Sequence, residues 1–421
     1  MRLQNGRDDE EIDSEDEPFE SDGGAVDDEE IPTTAQEKKL ELAKKYLAQL
    51  EEQEKEKEEP DGVMGRLRAD VLEQAGKLRK KVAGKIKTKI GPEDVVTLRC
   101  KEHKQPITCL VVSSSSERIY SGCKGGYVVM WCLKTAKKIM SIAPEYKKKD
   151  AKHHSGAISA LALSQDGRCL ASSDSGCIRL WDAHSLTHMH TFAGHTAPIT
   201  SLAFCRRTPT LYSASKDRTV KLWNVLEMGY IETLFGHQAS PTCVEYFAKD
   251  RVLTSGGSDR SVRLWKIPEE SHLVFNGHSG NIECVRRLDD GHFVTCGDDG
   301  ELCLWGALKK KPLATVKLAH GLMTNGEPYW LNCVATIDNA EVFASGSSDG
   351  YIRLWQAEDN YRKFSQLLEI PLLGFMNAMT FTEDGSRLIV GLGKEHRLGR
   401  WTTIKEAKNS IVVINLMDTE S

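Results

Sequence analysis

The 421-residue chain has no run of about 18 apolar residues, and Met1 to Arg7 is not followed by an apolar stretch of signal-peptide type. Neither a membrane span nor a secretory leader is expected, which points to an intracellular protein. Paired cysteines are missing too. The 12 Cys are scattered singly through strand-like segments with no Cys-x-x-Cys, a pattern that argues against a thiolate metal site or a disulfide framework and suits small buried hydrophobes in a reducing compartment. A strong net charge is also lacking, at -5 overall. That near balance is an average over unlike parts. Residues 1–90 carry 17 Lys+Arg against 25 Asp+Glu, or -8, while residues 91–421 carry 39 against 36, or +3.

What the chain does contain is an internal period. Seven segments end in Trp: GGYVVMW131, SGCIRLW181, DRTVKLW223, DRSVRLW265, DGELCLW305, DGYIRLW355 and EHRLGRW401, spaced 40 to 50 residues apart. Ahead of six of them lies a His before an apolar run, namely His103, His154, His195, His237, His278 and His320; the seventh unit has LLGFMNAMTF there. Short alternating runs such as ITSLAF and TLYSAS are split by turn signals such as SQDGR, KDR and EDGS. Four short strands per unit of 40 to 45 residues resembles the WD repeat and implies an all-β, seven-bladed β-propeller, in which each blade's faces are covered by its neighbours.

The WD-repeat resemblance implies further that His, a strand Ser or Thr, the Asp six residues before Trp, and Trp itself bond into a tetrad in each blade. The matching sets are His195, Asp217 and Trp223; His237, Asp259 and Trp265; His278, Asp299 and Trp305; and His320, Asp349 and Trp355. Gly125 in blade one, Ser175 with Asp174 one place early in blade two, and Glu395 in blade seven depart from the pattern, so those tetrads are expected to be weaker. Two segments compete to close the ring as the outer strand of blade seven, Val95 to Cys100 and Ser410 to Leu416; by analogy with the usual WD-repeat staple the first is preferred.

A hydrolase reading of the recurring Ser, His and Asp fails on their repetition. A catalytic triad converges once on one pocket, whereas a set repeated around a ring does one structural job many times. The Gly-rich pieces SGCKGG and SGGSD sit in hairpins with no following helix, so they lack the context of a phosphate-binding loop. No enzyme activity, cofactor, metal or small-molecule substrate is expected.

The first 90 residues read as an extension. Residues 8–30 hold 14 acidic groups and suit a disordered solubilising tail, in which Ser14 is a candidate phosphorylation site. Thr34 to Glu37 has capping-box spacing and opens a helical run with Leu40, Ala43, Leu47 and Leu50 on one face. From Arg66 to Ile90 the charge reverses to +7, with Leu67, Val71, Ala75, Leu78 and Val82 at helical spacing. Lys77, Arg79, Lys80, Lys81, Lys85, Lys87 and Lys89 there are candidates for a nuclear signal or a phosphate-tracking arm. The expected division is an acidic tail over 1–33, a charged helical extension over 34–90, and the propeller over 91–421.

Loops before the first strand and hairpins before Trp open on one rim of a propeller, here called the top. His103, Lys104, Lys124, Lys147 to Lys149, Lys152, Lys216, Arg218, Arg260, Lys394, His396 and Arg397 are placed there, the footprint of a surface for a polyanion. Lys137, Lys138, Lys309 to Lys311, Arg362, Lys363, Lys405 and Lys408 are placed on the opposite rim, so polarity favours the top only weakly. Tyr329 and Trp330, out of the tetrad register, either stack on an unpaired base or pack under their own loop.

Four stretches are more particular: Thr34 to Leu50, Leu234 to Gln238 (LFGHQ), Lys266 to Phe275, and above all Gly393 to Ile411, GKEHRLGRWTTIKEAKNSI. They resemble the U3 small nucleolar RNA-interacting WD-repeat family. The resemblance implies a non-catalytic component of the U3 box C/D particle. Such a component would recognise the box B/C region of the RNA with a kink-turn-binding protein. It would meet other box C/D and small-subunit processome proteins in the nucleolus, and would support early cleavage of the ribosomal RNA precursor. The family motif maps onto His396, Arg397 and Arg400, joined by Lys394 as RNA candidates with Lys124, Lys216, Arg218 and Arg260. The chain starts MRLQNG without a basic leader, which directs the search for a nuclear signal to Lys77 to Lys89. The competing reading is a WD-repeat scaffold or substrate receptor that binds protein alone.

Overall fold

The computed structural model describes residues 79–145, 153–206, 208–248 and 250–417. The expectations for the acidic tail, the 34–50 helix, Ser14, Lys77, Lys147 to Lys149 and Lys152 lie outside these residues.

Among the described residues, seven antiparallel sheets of four strands each form seven blades. The innermost strands are Ile107–Val112, Ala160–Leu163, Ile199–Phe204, Cys243–Tyr246, Ile282–Arg287, Cys333–Thr336 and Phe375–Phe381; each packs beside the next, and the last returns to the first. Second and third strands lie between neighbouring blades. Leu302–Gly306 is accordingly buried along its whole length, while the outer strand Lys137–Ile142 is exposed at all but its last residue. Trp131, Trp181, Trp223, Trp265, Trp305 and Trp355 are all buried where one blade meets the next. Burying a side chain of that size is worth about 2–3 kcal/mol each.

The ring closes in a way that corrects two expectations. The segment ending at Trp401 is not a strand. The third strand of blade seven is Ser410–Asn415, and Val95–Leu98 pairs antiparallel with it as the outer strand, Val95 opposite Ile414 and Leu98 opposite Ile411. The two segments read as rivals for one place are therefore neighbours, and the N-terminal one is the outer closure. SIVVIN supplies the continuous apolar run that a strand buried on both faces needs, whereas EHRLGR would bury four charged or imidazole groups.

The described part of the basic stretch, residues 79–90, is not helical beyond one short turn; the rest of the expected helix lies outside the described residues. Lys80 forms a parallel bridge with Ala340, its N–H donating to the Asn339 carbonyl at 2.7 Å, and a single short 3-10 turn follows at Ala83–Lys85. Val82, Ala83 and Ile86 are buried in the same cluster as Ile337, Ala340, Leu388 and Leu416, so the propeller's core begins before residue 91. The Arg79 guanidinium lies 4.1 Å from the centre of the Tyr361 ring, and Lys80 Nζ donates to the Glu383 carbonyl. Lys87 pairs with Asp94 at 2.6 Å. Arg79, Lys80, Lys81, Lys85 and Lys89 are exposed. This strap crosses the turns of blades six and seven on the face opposite the top.

Candidate nucleic-acid interface

In blades three, four and six the polar network is complete. His195 Nδ1–H donates to Asp217 at 2.7 Å, its Nε2 meets Ser213 Oγ at 2.8 Å, and Trp223 Nε1–H donates to the same hydroxyl at 2.8 Å. The corresponding His–Asp distances are 2.7 Å for His237–Asp259 and 2.8 Å for His320–Asp349, each with a Thr254 or Ser345 hydroxyl and its Trp at 2.7–2.8 Å. Blade five is looser at the acid, with His278 Nδ1 3.1 Å from Asp299. These groups are turned inward between strands and satisfy one another, a structural arrangement with no open pocket.

The departures from the pattern have distinct outcomes. In blade one His103 meets Ser121 at 3.2 Å, but its buried Nδ1 has no hydrogen-bond partner, as expected where Gly125 replaces the acid. In blade two Asp174 fills the place from one position early: it lies 3.3 Å from His154 Nδ1 and 3.0 Å from the buried Arg179, which itself donates to that Nδ1 at 3.0 Å. His154 Nδ1 is thus shared between Asp174 and Arg179, and its Nε2 meets Ser172 Oγ at 2.6 Å. Glu395 of blade seven joins no tetrad. It is buried and reaches sideways, pairing with Lys124 at 3.2 Å and Arg400 at 2.6 Å. Burial opposes its charge, but those two cations hold the carboxyl below the usual glutamate range.

The hairpin before the third strand has three residues in blade three, Lys216 to Arg218, and sixteen in blade seven, Lys394 to Asn409. This long loop folds on itself through a bridge between Glu395 and Thr403, and the Ile404 N–H donates to the Lys394 carbonyl at 2.9 Å. Its base is tied to blade one, where Asn409 Nδ2 donates to the Lys104 carbonyl at 2.8 Å. Trp401 is 62% exposed and stands edge-on to Trp330 of blade six, which is 40% exposed, with ring centres 5.9 Å apart. Lys394, Leu398, Arg400, Lys405 and Lys408 are exposed on the same loop, and Arg99, Lys101 and Lys104 lie in the adjoining connection into blade one. Lys405 and Lys408 therefore belong to the top rim, a correction that concentrates positive charge there.

The expected RNA candidates do not share one environment. Lys394 and Arg400 are exposed and Lys124 is half-buried against Glu395. His396 is buried: the Leu398 N–H donates to its Nδ1 at 3.2 Å and its Nε2–H donates to Asn332 Oδ1 at 3.1 Å. Burial, with Arg397 and Lys124 nearby, pushes its pKa down to about 3, so it is neutral and has no free donor. Arg397 turns into the top of the central channel and pairs with Glu283 of blade five at 2.9 Å. His396 and Arg397 thus anchor the loop: the His396 Nε2–H goes to Asn332 and one guanidinium nitrogen of Arg397 goes to Glu283, while the buried Arg397 Nε has no hydrogen-bond partner. Lys216, Arg218 and Arg260 are exposed on hairpins of blades three and four, the last two at left-handed backbone turns, away from the blade-seven loop. Reading the sequence for tetrad positions gave Trp401 a buried place and overlooked it as a surface group; the Arg and Gly residues around it were the available signal.

At its other end the channel holds a cavity of about 330 Å³ lined by Ser113, Tyr246, Thr336 and Thr382, with Arg286 paired to Glu245 at 2.8 Å and Arg206 paired to Asp338. Among the described residues, His278, Glu301 and Cys303 bring metal-capable atoms within 4.8 Å of one another. Both ring nitrogens of His278 are engaged by Asp299 and Thr295, so a cation there would break the blade-five tetrad.

The WD domain, G-beta repeat model matches residues 94–132, 147–182, 186–224, 229–266, 269–306 and 318–356, the segments of blades one to six. Over 397 residues the chain is 49% identical to the human U3 small nucleolar RNA-interacting protein 2, covering 92% of this chain and 83% of that one. The chain belongs to the U3 small nucleolar RNA-interacting WD-repeat family. An Arabidopsis thaliana U3 snoRNP-associated protein-like relative is 31% identical over 93% of this chain and 87% of its own length. Solved structures of U3-55K and of the RRP9 WD40 repeats each superpose with a TM-score of 0.75 at 42% identity, covering 78% of this chain and 100% and 98% of theirs.

Proposed function

We propose that this protein is a non-catalytic component of the U3 box C/D small nucleolar ribonucleoprotein, acting in the nucleolus in early cleavage of the ribosomal RNA precursor for the small subunit. In this reading the box B/C region of U3 RNA, with the kink-turn-binding protein beside it, meets the top of blades six, seven and one. The observation that carries the reading is the loop Lys394 to Asn409. It carries the exposed Lys394, Arg400, Lys405 and Lys408 together with Trp401, which stands against Trp330, beside Lys104 and Lys124; of its two acids, Glu395 is offset by Lys124 and Arg400 and Glu406 is exposed. Cations that track phosphate beside aromatic faces that stack on unpaired bases are how folded RNA with single-stranded elements is held. Lys216, Arg218 and Arg260 would serve as peripheral phosphate contacts.

The test is binding of purified protein to a U3 fragment containing the box B/C region across a salt series. Lys394→Ala with Arg400→Ala should weaken binding about tenfold or more and flatten the salt slope by about two ions. Trp401→Ala should weaken binding by about 1–3 kcal/mol without changing that slope. Unaltered affinity in both variants, with the fold intact, would remove this surface from the RNA site.

A further inference from the structure

Arg397 and His396 lie within the RNA-family motif but face the interior, and what they grip is on other blades. The Arg397 guanidinium crosses the mouth of the channel to Glu283, meeting its carboxylate at 2.9 Å and its backbone carbonyl at 3.3 Å. Glu283 sits on the innermost strand of blade five, two blades away, with its side chain only 14% exposed. His396 is held by Asn332, which is buried in the connection leading into blade six. A third tie comes from blade seven itself: fully buried Asn377 accepts from the Arg397 N–H at 2.9 Å and donates to the Glu395 carbonyl at 3.1 Å. Three consecutive residues, Glu395 to Arg397, are thus gripped from blades one, six, five and seven, directly before the exposed Leu398 to Trp401 segment.

We infer that Glu283 and Asn332, which the blade-seven loop covers, are positioning residues for RNA recognition, holding through Arg397 and His396 the loop that presents Arg400 and Trp401. The inference rests on the RNA reading above for its consequence but not for the latch itself. A sixteen-residue hairpin loses conformational entropy when it is held in one shape, and a surface set in advance binds more tightly because that loss precedes binding. The half-buried guanidinium is the strongest of these ties: partial burial opposes its charge, and Glu283 restores it. The long hairpin needs such anchors because blade seven has no His–Asp–Trp network to hold its top connection.

The experiment pairs amide hydrogen exchange of the free full-length chain with affinity for the box B/C fragment. Glu283→Ala is expected to speed exchange across residues 398–409 about tenfold and weaken RNA binding several-fold. Glu283→Gln, close to isosteric, should have a smaller effect of the same kind, and Glu283→Asp should partly restore the parent values. Adding Glu283→Ala to Arg397→Ala should cost nothing more, because both cut one tie. Exchange at the parent rate in a folded Glu283→Ala protein, or additive losses in the double variant, would overturn the latch. Faster exchange with unchanged RNA affinity would overturn its role in positioning. Lys405→Ala with Lys408→Ala, exposed on the same loop and outside these ties, separates the two claims: it should weaken RNA binding while leaving exchange alone. If it leaves affinity untouched while Glu283→Ala still loosens the loop, the RNA reading fails and the latch stands.

Discussion

Blades three to six and blade seven solve the same packing problem with different means. In the former, one His, one hydroxyl, one acid and one Trp bond within a single blade, and the hairpin before the third strand can be as short as three residues. Blade seven has no Trp in its third strand, takes its outer strand from the other end of the chain, and holds its top hairpin by ties to four blades. A self-contained blade leaves its hairpin little to do. The blade that gives up the repeated network gains a long, externally anchored loop on which cationic and aromatic groups are free to face outward.

The largest effect should come from removing a tetrad. His237→Ala strands the Asp259 carboxylate and the Thr254 hydroxyl inside blade four and should cost about 3–5 kcal/mol in urea unfolding. His103→Ala in blade one, where no acid is present, should cost about half as much. Equal losses would mean that the acid adds nothing to the tetrad. Next in size, Val82→Asp places a charge in the cluster shared by the N-terminal strap and blades six and seven, and should destabilise by about 3 kcal/mol. Faster hydrogen exchange should then be concentrated in blade seven, the blade that depends on chain-terminal segments.

Acidification gives an intermediate effect. His103 and His396 are both buried, and burial, aided at His396 by neighbouring cations, lowers their pKa values to about 4 and about 3. Each is neutral in the fold and takes up a proton in the unfolded chain below about 6.5. Their stabilising contribution is therefore complete above about pH 6.5 and declines as pH falls toward 4 and 3. Between pH 7 and pH 5 each should account for roughly 2 kcal/mol of lost stability. Urea midpoints at the two pH values check this, and His396→Gln should blunt the loss; an undiminished loss in that variant would show that His396 is charged in the fold. The smallest expected change is a gain. A Cβ on Gly125 would meet Cys123 Sγ at 3.5 Å and Tyr127 at 3.6 Å, ordinary contacts, so Gly125→Asp can supply the acid that His103 lacks. It should add about 1 kcal/mol, and no gain would show that the missing acid is not what weakens this blade.

Much of the fold was legible because the period is physical. Each Trp-ending strand and its His recur at the interval that four short strands and their turns require, and blades one to six follow that register. Blade seven departs from the repeat at its third strand: EHRLGRW carries a Trp at the expected interval, whereas the strand is specified by the less conspicuous SIVVIN. The same decoy Trp conceals the long loop, puts Lys405 and Lys408 on the opposite rim in a register-based reading, and gives Glu395 the position of a tetrad acid. Asp174 shows the converse. One residue out of register, it still reaches His154, because a carboxylate needs only to bring an oxygen to the right point and Arg179 steadies it there.

The sequence alone determined the repeat, the inward polar sets of four blades and the basic character of the region around residues 394–408, all of which follow from local spacing and composition. Which of those basic groups face solvent was decided by the tertiary structure. Arg397 and Arg400 are chemically alike and three residues apart, yet one bridges to Glu283, 114 positions away in the chain, and the other stands 69% exposed. That difference depends on where blades one, five and six lie relative to blade seven. No local pattern encodes it, because the partners that bury a charge are brought together only when the ring closes.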